Sequence, residues 1–262
     1  MISIVTPSFN QGMFLEQTIL NIINQNYKNY EYVIIDGGSA DNSIEIIKKY
    51  DPFITYWVSE PDAGQSNAIN KGLQLCKGDI LAYICSDDLY ADGAFQYVAS
   101  FFSTHPDVDM IYGECLFIDE YGKVVRRKKA VPFSRRKLLR HNIIWQPTVF
   151  FRRRVLDKIG FFKASLQYAM DYEYWLRASE HCKIVAVDRH LAYYRWHSAS
   201  KSVSGVVNML QEGYEVAKQF GGGGLLSWYL HRVYWPYTDN IKRKIFSLLA
   251  SGGLKVLKAI SY

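Results

Sequence analysis

Two adjacent carboxylates, Asp87 and Asp88, follow an apolar run in the segment LAYICSDDLY at positions 81–90. Like charges held side by side at the end of a buried strand repel. Burial adds to that cost unless a positive group lies beside them. The residues alone leave two readings. Ser86 and the acids cap a helix by accepting its first amide hydrogens, or they hold a divalent cation. Other polar residues stand at comparable places: Pro7, Ser8 and Asn10 after the run ISIVT, and Asp36 after YVII. Each one singly suits a turn or a cap. Converging from three strand ends, they point to a site.

The chain has 262 residues, 49% hydrophobic and 21% charged, an ordinary globular composition for one large domain or one and a half. Its net charge of +6 suits anionic partners such as nucleotides, nucleic acid or an acidic membrane face. The aromatic share of 15% suits sugar faces and membrane interfaces, and equally the filling of a core. None of the 4 cysteines forms a CxxC pair, which argues against zinc or thioredoxin-like chemistry. Cys76 and Cys85 lie among apolar residues and are expected as buried thiols. The start MISIVTPSFN has no basic leader pattern, and no apolar run reaches the length of a membrane span. A reducing, cytoplasmic setting is expected. No GxGxxG follows the first strand, which argues against a dehydrogenase. The basic runs at 126–129 and 135–137 come with no nucleic-acid motif, so no nucleic-acid partner is expected.

Elements that must position the acids alternate through the first half. ISIVTP, YEYVIID, FITYWVSE and DILAYICSDD have strand patterns. MFLEQTILNIINQ, SADNSIEIIKKY and DAGQSNAINKGLQLC between them have helical spacing. Strand–helix alternation predicts a parallel sheet with crossover helices, and ligands of such sheets bind at the strands' carboxyl ends. Further on, VDMIYGECLFID and KIVAVDRHLAYYRWH look like strands and MDYEYWLRASEH like a helix, while RRKKAVPFSRRKLLRH is expected at the surface. After FGGGG at 220–224 the chain becomes basic and amphipathic, suited either to an anionic membrane surface or to packing on the domain.

Taken together, IVTPSFNQGMFLEQTI, YVIIDGGSADNS, WVSEPDAGQSNAINKG, GDILAYICSDD and MDYEYWLR resemble the family-2 glycosyltransferases, most of all the bacterial branch that builds O-antigens and other surface polysaccharides. The resemblance runs from Ile2 to about Ser202. It implies an α/β GT-A fold, a Rossmann-like nucleotide-diphospho-sugar transferase with a mixed, mainly parallel central sheet and a C-terminal helical extension. The implied division is a glycosyltransferase domain over 1–204, with a nucleotide-sugar half (1–91) and an acceptor half (92–204), followed by a basic extension over 205–262.

The same resemblance implies a UDP-sugar or related donor, a divalent metal (Mn²⁺ or Mg²⁺), and inverting transfer to a glycan or lipid-linked saccharide at the inner face of the cytoplasmic membrane. It places the metal-binding DxD element on Ser86-Asp87-Asp88, with Ser86 replacing the first acid, Asp88 on the metal and Asp87 on the ribose or the cation's hydration shell. A leaving diphosphate gathers negative charge, and hard oxygen ligands suit these cations. Asp171 matches the catalytic base, with Met170 in place of the preceding Glu. Its apolar neighbours would raise its pKa. Glu173, two residues on, faces elsewhere and is expected to pair with Arg177. Pro7, Asn10, Asp36, Asp62, Gln65, Lys71 and Arg195 are implied around the donor, His197 at the metal or diphosphate, and Trp145 and Gln146 at the sugar and acceptor. Two departures stand out: Gly37 where many relatives carry a second Asp, and Ile69 where many carry Arg. The alternatives are a sugar nucleotidyltransferase, disfavoured by the first loop TPSFNQG, which is neither Gly-rich nor basic, and a non-catalytic sugar- or membrane-binding protein on the same fold.

Overall fold

The structure, a computed structural model, describes residues 1–198 and 200–222. Strands β1 (Ile2–Ser8), β2 (Tyr30–Asp36), β3 (Tyr56–Ser59) and β4 (Ile80–Tyr83) alternate with helices α1 (Gly12–Ile23), α2 (Ser43–Lys49) and α3 (Gln65–Leu75). These four strands are parallel, as the alternation predicts, in the order β3-β2-β1-β4. β1 is buried along its whole length, so it carries a continuous apolar run rather than an alternating one. Leu15, Ile19 and Ile22 fill one face of the sheet from α1, and Ala68, Ile69 and Leu73 fill the other from α3.

After β5 (Leu89–Tyr90) and α4 (Ala94–Thr104), the second half completes a nine-stranded mixed sheet. It contributes β6 (Met110–Ile118), β7 (Val124–Lys128), α5 (Arg135–Leu138), β8 (Phe150–Arg152), α6 (Arg153–Ile159), α7 (Met170–His181) and β9 (Ile184–Arg195). β8 runs antiparallel between β4 and β6, and β9 runs parallel to β6 on its other side. The KIVAVDRHLAYYR region is a single 12-residue strand. The basic run after 124 is not simple surface coil: Val124–Lys128 forms β7 against β6, and α5 is anchored by the buried Leu138. Arg127, Lys129, Arg136, Lys137 and Arg140 are exposed as expected, while Ala130, Phe133 and Leu139 pack against the core. The short helix α8 (Lys201–Ser204) and the 14-residue α9 (Val206–Gln219) follow, and α9 packs on α7. The basic amphipathic pattern beyond 224 lies outside the described residues.

Buried charges are tied down, as their desolvation requires. Glu173 pairs with Arg177, as expected, and also with Lys163. Asp109 joins Arg154 to the backbone N–H of Lys183. The helix that brings Gln65 to the end of the sheet is seated by Gly72, where an added Cβ would stand 2.4 Å from Val5 Cγ1. Replacing that glycine gains about 1 kcal/mol of helix propensity and costs about 1–3 kcal/mol of overpacking against β1. Gly72→Ala is therefore expected to lower unfolding stability by up to about 2 kcal/mol, read from the urea midpoint at unchanged slope. A stabilised variant would show that α3 is free to lift from β1.

Candidate active site

A cavity of about 850 Å³ opens at the carboxyl ends of β1 and β4. Its wall is drawn from Pro7 and Ser8, the start of α3, the 85–88 turn, the 142–146 loop, the start of α7, and α8 with α9. A parallel sheet puts these ends side by side, which is why residues 80 positions apart in sequence meet there.

The two carboxylates of the opening segment lie in the turn between β4 and β5. No helix starts there; α4 begins at Ala94 behind Gly93, so the capping reading falls. Asp87 and Asp88 both face the cavity, and their oxygens and Cys85 Sγ lie within 4.8 Å of one another. Asp87 Oδ2 meets His197 Nε2 at 2.9 Å, and the His197 ring packs on Phe14. Asp88 is 2% exposed and accepts the Arg195 backbone N–H at 2.8 Å. Burial, then the neighbouring Asp87 charge, pushes its carboxyl well above the usual range. A divalent cation would relieve both effects, and the hard oxygens fit Mg²⁺ or Mn²⁺. Cys85, expected as a buried core thiol, is half-buried on the cavity wall instead. Burial and the two acids push its thiol well up, so it stays protonated beside them.

Other expected donor residues divide into two groups. Pro7, Asp62 and Gln65 line the cavity. Asp62 also accepts the Gly64 N–H at 2.7 Å and so shapes the turn before α3. Asp36, Asn10, Lys71, Arg195 and His197 stand off the wall. Asp36 is fully buried and accepts from Gly38 N, Ser39 N, Ser39 Oγ and Ser59 Oγ, which locks the loop after β2. Asn10, at φ 52°, accepts the Ala40 N–H and braces that loop from β1. Lys71 is ion-paired with Glu60. Arg195 is 1% exposed, and its guanidinium is committed to the carbonyls of Asp87, Asp119 and Glu120 and to Gln17 Oε1. It braces the acidic turn from behind.

Trp145 and Gln146 are on the wall as expected. Gln146 Nε2 donates to the Tyr83 carbonyl at 2.8 Å, which fixes the end of β4. Trp145 meets Phe117 edge-on, and Lys128 Nζ lies 5.4 Å from the Trp145 ring centroid. Burial holds the Lys128 ammonium down at about 8.

Asp171 is the second residue of α7 and lines the same cavity. Burial raises its carboxyl to about 6, against hydrogen bonds from the Tyr172 N–H (2.6 Å) and Asn142 Nδ2 (3.5 Å) that lower it. Glu212 on α9 accepts the backbone N–H groups of Gln167, Tyr168 and Ala169 at 2.9, 2.5 and 2.6 Å. It thereby holds the loop that leads into α7 from another helix, and its charge adds to the rise at Asp171. Lys201 on this wall and Glu212 behind it escape the sequence reading, whereas Ser8 lines the wall with a buried hydroxyl that has no hydrogen-bond partner among the described residues. Ser8 was legible as a strand-end polar residue. Lys201 and Glu212 sit beyond the motifs, where no spacing marks them.

The folded state holds the Asp171 proton more tightly than the unfolded chain. That site favours folding fully below about pH 4, and the advantage is lost as pH rises through about 6. Asp171→Asn is therefore expected to stabilise the protein near neutral pH by up to about 3 kcal/mol, with the gain shrinking toward about pH 4. Urea unfolding at the two pH values measures it; a gain independent of pH would mean that the carboxyl is not desolvated.

Residues 3–160 match the model of the family described as Glycosyl transferase family 2. An uncharacterized glycosyltransferase of Mycobacterium tuberculosis is 28% identical over 258 residues, covering 95% of this chain and 97% of its own. One of Haemophilus influenzae is 32% identical over 167 residues, 62% of this chain and 66% of that protein. Among solved structures, the 1–349 fragment of S. aureus TarS in complex with UDP-GlcNAc superposes with a TM-score of 0.68 at 17% identity, over 91% of this chain and 74% of the fragment. The mannosyltransferase PcManGT from Pyrobaculum calidifontis, in complex with GDP-Man and Mn²⁺, gives 0.65 at 18% identity, over 96% and 75%. This chain spans 44% of the longer TarS chain, with a TM-score of 0.66.

Proposed function

We propose a reaction for this chain, which belongs to glycosyl transferase family 2 and is a glycosyltransferase with the GT-A fold: inverting, metal-dependent transfer of a sugar from a nucleotide-diphosphate donor, a UDP-sugar in the first instance, to a hydroxyl of a glycan or lipid-linked saccharide. The acceptor belongs to surface-polysaccharide synthesis of the O-antigen or capsule kind, on the cytoplasmic side of the membrane. No described helix is long and apolar enough to cross a membrane. The observation that carries the reading is one cavity holding both the Asp87–Asp88 pair and a desolvated Asp171.

Charge on the wall decides how the donor is held. Asp62, Asp87, Asp88 and Asp171 face the cavity, and Lys201 is the one Lys or Arg among its described lining residues. A diphosphate would be repelled by that wall alone. Asp87 and Asp88 would hold a divalent cation, which, when bound, neutralises the phosphate oxygens and the charge that grows on the leaving diphosphate. His197 acts through Asp87 by fixing its carboxylate, and the Arg195 backbone does the same for Asp88. Lys201, with its ammonium 5.3 Å from the Tyr168 ring centroid, adds a movable positive charge for the phosphates. Pro7, Ser8, Asp62 and Gln65 border the nucleotide end, while Trp145 and Gln146 border the sugar and acceptor end.

Asp171 takes the proton from the acceptor hydroxyl as that oxygen attacks the anomeric carbon. A carboxyl at about 6 is ionised near neutral pH and more basic than an ordinary aspartate, which suits it to that task. Glu212 keeps the start of α7 in register with the cavity. A single displacement inverts the anomeric centre and needs no enzyme nucleophile, and none is required of Cys85.

A screen of nucleotide sugars for binding and turnover with Mn²⁺ or Mg²⁺ tests the reading. Asp171→Asn is expected to cut transfer by about 10²–10⁴-fold with donor binding kept. Turnover near that of the parent would remove Asp171 as base. The parent's kcat/KM should rise with pH through about 6, and Glu212→Gln should move that rise to lower pH, since it removes a negative neighbour. Asp87→Asn should abolish the metal dependence of donor binding; an unchanged metal response would refute the cation site. Donor binding without any transfer or hydrolysis across acceptors would favour a non-catalytic binding protein.

A further inference from the structure

The region from Tyr121 to Arg140 does nothing in the reaction above, yet its chemistry is unlike the rest of the chain. It holds nine Lys or Arg and no Asp or Glu. It begins at the tip of the β6–β7 hairpin, where Gly122 turns at φ 85° and Asp119 accepts the N–H groups of Tyr121 and Lys123. β7 hydrogen-bonds β6 along one side, and its other side is an edge of the sheet. Lysines on an edge strand discourage pairing with other chains. That accounts for the charge but not for the apolar side chains beside it. Tyr121 is 87% exposed, Val124 49%, Val125 54% and Val131 38%. Valines left open on a strand edge are an aggregation hazard unless something covers them.

We infer that residues 121–140 form a docking surface for an anionic lipid bilayer, with Tyr121, Val124, Val125 and Val131 entering the headgroup region and the surrounding lysines and arginines meeting lipid phosphates. The charge is complementary to an acidic leaflet, to which each Lys or Arg near the surface contributes. A soluble polyphosphate-like polyanion would meet the same charges but gives the exposed valines no role. Anionic lipid uses both.

Position fits as well. At one end Lys128 covers the Trp145 ring, which lines the cavity. Toward the other end Arg135 pairs with Glu180 of α7, and the Leu138 carbonyl accepts from Tyr172, the residue next to Asp171. Asn142, two residues past the strap, reaches Asp171 itself. A membrane against this strap lies beside the acceptor end of the cavity. This orientation rests on the acceptor reading above, whereas the lipid contact itself does not.

Flotation of the full chain with vesicles provides the test, comparing phosphatidylglycerol–phosphatidylcholine mixtures with pure phosphatidylcholine. Binding is expected to the anionic vesicles alone and to weaken with salt. The triple variant Lys123→Glu, Lys129→Glu, Lys137→Glu should lose at least tenfold in vesicle affinity, and Val124→Thr with Val125→Thr should lose several-fold at the same salt. Both should bind nucleotide-sugar donor as the parent does, which separates this inference from the catalytic one. No binding to anionic vesicles overturns it, as does parent-like binding by the triple variant, which would hand the contact to the chain beyond 222. If linear polyphosphate binds the strap and the valine changes leave vesicle affinity untouched, the surface is a polymer site and the lipid inference fails.

Discussion

Carboxylates that the fold takes out of water, at the end of a sheet with almost no positive charge facing them, are the constraint on which this site depends. Asp88 is buried and Asp171 is half-buried on the cavity wall, and both hold their protons more tightly than an exposed aspartate. An isolated buried carboxylate is costly, so each must be held by donors or be neutralised when the ligand arrives. The surroundings meet that need in different ways. Asp88 receives a backbone N–H from Arg195 and Asp87 a histidine nitrogen, leaving oxygens of both within reach of a shared cation. Asp171 receives the Tyr172 N–H and a long bond from Asn142, and little else. In the proposed reaction the first pair would bind charge and the second group would move a proton.

Much of the molecule supports these three side chains rather than touching a ligand. Arg195 is the clearest case. Its guanidinium, which could have gripped a phosphate, instead ties the 87 and 119–120 carbonyls to Gln17 on α1. The acidic turn is thus clamped between β9 and the first helix. Asp36 does the equivalent for the loop after β2, where its two oxygens take four donors. Glu212 holds the loop before α7 by three backbone hydrogens. An interior in which the braces are themselves charged and satisfied gives little when a ligand binds, so the reactive groups can stay where they are set.

The parallel half of the sheet was legible because its strands are short apolar runs separated by helices with a clear 3.6 period. The acids at the ends of those strands were legible for the same reason: a charged residue closing an apolar run is conspicuous. What the pattern could not supply was direction. Asp36 and Asp87 both follow a strand, yet one points into hydrogen bonds beneath the loop and the other into the cavity. Arg195 and Lys201 are six positions apart, and it is the lysine, with no motif around it, that reaches the wall. Cys85 looked like core because its neighbours are apolar, but it lies two residues past the end of β4, on the cavity wall. Glu212 was invisible because a lone acid on an amphipathic helix is ordinary; its meaning comes from the loop that packs against it.

The distribution of charge joins these features. A chain with a net charge of +6 nevertheless lines its cavity with four carboxylates, while much of its positive charge lies on the surface, with the region from Tyr121 to Arg140 the densest part. Such an arrangement attracts an anion toward the protein as a whole but resists it at the last few ångströms. A bare diphosphate would stall at the acidic turn, whereas one whose charge is offset by a divalent cation would not. In the proposed reaction, selectivity for a metal-bound donor would need no dedicated gate: it would follow from four carboxylates facing one lysine across the same cavity.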